Sequence, residues 1–84
     1  MTTEIVLDTT ELEAPEPMTV VLNNLSKLDE NTSIKMIHRI EPQMLFVHLD
    51  RNEINYKVDF KDDDVFIYIW NNSFKDKEKF KDTI

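Results

Sequence analysis

Pro15 and Pro17 sit between a strand-like run and a helical stripe, and they fix where the chain must change direction. Proline lacks an N–H and holds φ near −65°, so it is tolerated in the first turn of a helix and breaks a helix interior. The short apolar run Ile5-Val6-Leu7 precedes them and reads as a strand, with Asp8 to Glu13 as an acidic connection. After them Met18, Val21, Leu22, Leu25 and Leu28 recur at spacings of three and four, the stripe of a helix with one buried face. Asp29-Glu30-Asn31-Thr32 ends that pattern, with Asn31 expected in the left-handed conformation.

The remaining chain repeats the theme. Ser33 to Ile40 alternates, with Ile34, Met36, His38 and Ile40 on one face. Pro42 then marks a second helix start, followed by Leu45 and Leu49 and closed near Asn52. Ile54 to Phe60 alternates again, Lys61 to Asp64 is a turn, and Val65 to Trp70 is a last strand, so the final pair forms an antiparallel hairpin. The order β-α-β-α-β-β predicts an α/β two-layer sandwich, a four-stranded mixed sheet with both helices on one face. The prediction is one domain over residues 1–71 and a charged tail over 72–84, either frayed or a short docked helix.

Composition excludes several kinds of chemistry. The 84 residues contain no cysteine, so disulfides, thiolate metal sites and cysteine nucleophiles are ruled out. There is no glycine, which removes the glycine-rich phosphate loops and leaves tight turns to asparagine and aspartate. A net charge of −7 without a basic patch argues against nucleic acid as a partner. No apolar run approaches the roughly 18 residues of a membrane span. The N-terminus also lacks the pattern of a signal peptide, so no membrane association and a cytoplasmic protein are the expectation.

The segments Leu12-Glu13-Ala14-Pro15-Glu16-Pro17-Met18 and His38-Arg39-Ile40-Glu41-Pro42-Gln43-Met44-Leu45, with the apolar strand Asp64 to Trp70, resemble the TusA/SirA-like superfamily. Within it they resemble the uncharacterised DUF 2249 branch, over about Leu7 to Trp70. The resemblance implies the same four-stranded sheet under two helices. It also implies that Ala14 stands where the sulfur-carrier relatives have a cysteine that relays persulfide sulfur. A helix N-terminus suits a thiolate, but an alanine methyl is no nucleophile. The chain is therefore not expected to carry sulfur.

If the first two strands are parallel, their junctions with the helices meet at one sheet edge, where open α/β sheets often bind ligands. The candidate ligand or partner surface is therefore Glu13, Pro15, Glu16, Pro17, His38, Arg39, Glu41 and Pro42. The plainer alternative is that the prolines and acids start the helices and complement their dipoles, with His38 a hydrogen-bonded core residue. His38 and His48 make a poor metal signature, so neither metal nor cofactor is expected. A second surface is the last strand, where Phe66, Tyr68 and Trp70 alternate with Val65, Ile67 and Ile69. One set must face away from the helices, as a partner or homodimer surface or as a face covered by Phe74 or Phe80 of the tail.

No serine sits in a nucleophile motif, so no enzyme activity is expected. The resulting expectation is a non-catalytic module that binds a protein partner, in a redox or sulfur-related setting by kinship. The alternatives are a small-molecule or cofactor-binding protein using His38 and the helix N-termini, and an accessory that docks onto sulfur-transfer enzymes.

Overall fold

The computed structural model describes residues 1–80; residues 81–84 of the expected tail lie outside the described residues. The elements are β1 (Thr3–Asp8), α1 (Glu16–Asn24), β2 (Thr32–His38), α2 (Gln43–Arg51), β3 (Asn55–Lys61) and β4 (Asp64–Trp70). Two 3₁₀ turns join them, Leu25–Lys27 after α1 and Lys77–Phe80 in the tail. The sheet order is β1-β2-β4-β3. β1 and β2 are parallel, and β4 lies antiparallel to both β2 and β3. This is the four-stranded mixed sheet that the alternating segments predict.

The register separates the two faces. Ile5 pairs with Ile34, Ile34 with Ile69 and Ile69 with Tyr56, and the row Leu7, Met36, Ile67 and Val58 runs beside them. These side chains share one face with Val21 and Leu28, from α1 and the chain after it, and with Leu45, Phe46 and Leu49 of α2. Ile34, Met36, Ile67, Ile69, Val21, Leu45 and Leu49 have no measurable exposure, so both helices cover this one face of the sheet. Burying a side chain of this size stabilises by about 1.5–3 kcal/mol, which identifies this face as the main core.

The opposite face carries Lys35, Ile37, Phe66, Tyr68 and Trp70, and the tail lies on part of it. The Phe80 ring stacks on Trp70 at 4.2 Å between centroids and meets Tyr68 at 5.8 Å and Phe74 at 5.6 Å. Phe74 and Phe80 are 1% and 6% exposed. The Asn71 side chain donates to the Leu28 carbonyl (3.2 Å), and the Lys75 N–H donates to the Glu30 carbonyl (2.8 Å). Two aromatic rings and these hydrogen bonds hold the segment down, the docked one of the two arrangements that the sequence leaves open.

Several boundaries differ from the sequence expectations. α1 ends at Asn24 and tightens into the 3₁₀ turn, so Leu25 and Leu28 reach the core from outside it. β2 ends at His38, leaving Ile40 outside the strand and exposed. Asn31 is not left-handed; its N–H is held by the Asp29 carboxylate at 2.8 Å. The left-handed residues are Glu53 (φ 56°) and Asp62 (φ 58°). Asp62 opens the two-residue loop between the paired Lys61 and Asp64, a position that glycine or asparagine commonly fills.

Candidate functional site

Because β1 and β2 are parallel neighbours, their carboxyl ends bring Thr9 and His38 together. The Thr9 N–H and hydroxyl both donate to the Ile37 carbonyl at 2.8 Å. The His38 Nδ1 lies 3.1 Å from both the carbonyl oxygen and the hydroxyl oxygen of Thr9. A carbonyl only accepts, so these partners assign the proton to Nδ1. The ring is 6% exposed. Its Nε2 makes no hydrogen bond, yet Ser33 Oγ is the fully enclosed unpaired side-chain atom among the described residues. Nε2 is therefore not fully enclosed, it belongs to a ring that lines the groove, and with the proton on Nδ1 it is the lone-pair acceptor of the neutral ring.

That groove has a volume of about 290 Å³. One wall is Ala14, Pro15, Pro17 and Met18, at the start of α1; the other is Ile40 to Leu45, leading into α2. The Ala14–Pro15 peptide is cis, and neither helix start has a side-chain cap. Ile40 and Met44 are 68% and 63% exposed, so the rim presents large apolar side chains to solvent. The first turns of both helices converge on a mostly apolar cleft with one buried ring acceptor in its wall.

Of the residues that the sequence singles out here, Pro15, Pro17, His38, Glu41 and Pro42 line the groove. Glu13, Glu16 and Arg39 do not. Arg39 turns to the connection before α1, donating to the Leu12 carbonyl (3.0 Å) and the Glu13 carboxylate (3.3 Å). That ion pair is exposed on both sides and contributes little stability. Glu16 and Glu41 form no ion pair among the described residues, which leaves two uncompensated carboxylates near the cleft. Thr9, Met18, Ile40 and Met44 complete the site; the sequence assigns Met18 and Ile40 to buried faces and gives Thr9 and Met44 no site role. Thr9 reads as part of a polar connection, and its partner is 29 residues away.

The Thr9 hydroxyl beside an imidazole resembles a nucleophile and its base, but the hydrogen bonds run otherwise. The hydroxyl proton goes to Ile37, Nδ1 is the donor toward Thr9, and Thr9 is 1% exposed. The pair orients a ring; it does not activate an oxygen. His48 lies in the last turn of α2 and does not line the groove. Among the described residues no group of three or more His, Asp or Glu side chains is placed to hold a metal.

The second surface is partly occupied. Tyr68 and Trp70 lie beneath Phe80, and the Lys35 ammonium sits 5.1 Å from the centre of the Phe66 ring. Burial first, and then the charges of Asp59 and Glu4, push the Tyr68 phenol up from its ordinary value. No described helix is long and apolar enough to cross a membrane. Comparison with family models, with curated proteins and with solved structures finds no match.

Proposed function

We propose that this chain is a non-catalytic cytoplasmic module that binds a protein partner through the groove between the two helix starts, taking in an apolar side chain of that partner. The observation that carries this reading is the groove itself: a cleft of about 290 Å³, rimmed by exposed Ile40 and Met44, with His38 in its wall. Exposed apolar side chains around a cleft mark interaction sites, and methionine adapts its shape to varied partners. The net charge of −7 supports a partner other than nucleic acid. The resemblance to the TusA/SirA-like proteins, resting on the proline and histidine segments, supports a redox or sulfur-related setting in which Ala14 carries no sulfur.

A small-molecule reading is favoured by one observation, that the cleft volume approaches the roughly 300 Å³ lower bound of ligand pockets. Capture from native extract separates the two. The protein-binding reading expects a partner retained by the wild type and by Phe66→Ser on the other face, and lost with Met44→Glu. Loss with Phe66→Ser alone would move the interface to the sheet. A retained small molecule with no protein partner would favour the second reading.

A further inference from the structure

The groove is apolar, yet it contains one polar demand. His38 Nδ1–H is committed to Thr9, which leaves Nε2 an acceptor without a partner on a ring that lines the cleft. Covering that nitrogen with a purely apolar group would strand a buried acceptor, an unfavourable arrangement. The occupant must bring a donor. Among the lining side chains only Gln43, at the exposed rim, could donate in return.

We propose that the occupant is a tryptophan side chain on a basic segment of the partner, with its indole N–H donated to His38 Nε2. This rests on the protein-binding reading above and names its anchor. Indole is a donor with no acceptor, so it satisfies Nε2 and asks for no donor in return. At about 30 Å³ per water-sized unit the cleft has room for about ten non-hydrogen atoms, the size of a tryptophan side chain. Tryptophan is also among the residues that most often anchor interfaces. The charge requirement is independent of the ring. Glu16 and Glu41 stand unpaired beside the cleft on a chain of net charge −7, which matches lysine or arginine flanking the anchor.

The test titrates the full chain, observed by NMR, with three capped peptides: Lys-Trp-Lys, its 1-methyltryptophan form and Lys-Phe-Lys. The expected result is that Lys-Trp-Lys shifts Met18, Ile40, Met44 and the His38 Nε2 resonance, and binds about tenfold more tightly than the 1-methyl form. In His38→Phe that preference should vanish. Because His38→Phe also removes a tie to Thr9, Met44→Lys at the exposed rim is the second variant, expected to keep the fold and to lose the peptide by removing apolar contact and repelling its lysines. Equal affinity of the Trp and 1-methyl-Trp peptides for the wild type overturns the anchor and leaves the protein-binding reading standing. Failure of all three to shift groove resonances at millimolar concentration also overturns the anchor, and capture from extract then decides the broader reading on its own.

Discussion

Glu53 shows at the level of one residue what a chain without glycine must do. The helix α2 closes with the Glu53 N–H bonded to the Asp50 carbonyl at 3.1 Å and the Ile54 N–H to the Leu49 carbonyl at 2.9 Å. This is the paired closure that places its left-handed residue just past the cap. Glycine usually fills that position, and a residue with a Cβ is held there at a cost of roughly 1–2 kcal/mol. Glu53→Gly should therefore stabilise the protein by about 0.5–1 kcal/mol, since the unfolded chain also gains freedom and returns part of the benefit. Urea denaturation should show a higher midpoint at unchanged slope; a lower midpoint would mean that the Glu53 side chain itself contributes. The sequence shows that turns must manage without glycine, and Asp62 fits the aspartate expectation. It does not show that a glutamate takes the helix end, because the nearby Asn52 is the better left-handed residue and the closure puts the strained position one residue later. Thr9 was equally hidden, since its role exists only once β1 and β2 are paired.

At the level of elements, the strands and helix starts were legible because alternation and proline are local signals. Val65, Ile67 and Ile69 are buried together as alternation implies, though their spacing leaves open which set of the last strand faces the helices. The tail was legible only as one of two alternatives, an exposed apolar strand face or one covered by Phe74 or Phe80, and the covered alternative is the one found. Phe74 and Phe80 show no helical period, and their burial depends on a sheet face assembled from distant residues. Trp70 is the single tryptophan and stacks on Phe80, so its fluorescence reports whether the tail is docked. Phe80→Ala should shift that emission to longer wavelength and cost about 1–3 kcal/mol, less than the 3–5 kcal/mol typical of a central phenylalanine, because the segment can detach alone. Unchanged emission would mean that Phe74 suffices. Alkaline pH should act in the same direction. The Tyr68 phenol is raised in the fold, so its contribution is fully present below about pH 10 and is lost as pH rises through the folded value. The Trp70 shift should begin above about pH 10 and be delayed in Tyr68→Phe. Tyr56, also raised by burial and by Asp50, is the control: Tyr56→Phe should leave the emission change in place.

For the whole molecule, the two surfaces differ in how they meet charge. The groove lies at the carboxyl ends of β1 and β2 on the helix face, and the tail covers the other face toward the opposite end of the sheet. The molecule measures 32 × 30 × 22 Å. At 10 mM salt the screening length is about 30 Å, so all the charges in a net of −7 repel across the fold. At 200 mM it falls to about 7 Å, and only neighbours interact. Among the described residues the ion pairs Arg39–Glu13 and Lys75–Glu30 offset little of this, because both are exposed and weak. Raising NaCl from 10 to 200 mM should therefore raise the Tm by about 2–4 °C, corresponding to about 0.5 kcal/mol. The same salt should weaken a lysine-flanked tryptophan peptide severalfold, since the attraction of Glu16 and Glu41 is screened while the indole contact is not. Opposite signs in one titration separate repulsion within the fold from attraction at the cleft. A Tm that falls with salt would mean that the exposed pairs outweigh the net charge. An affinity indifferent to salt would place the two carboxylates out of reach of the bound segment and leave the anchor to the ring alone.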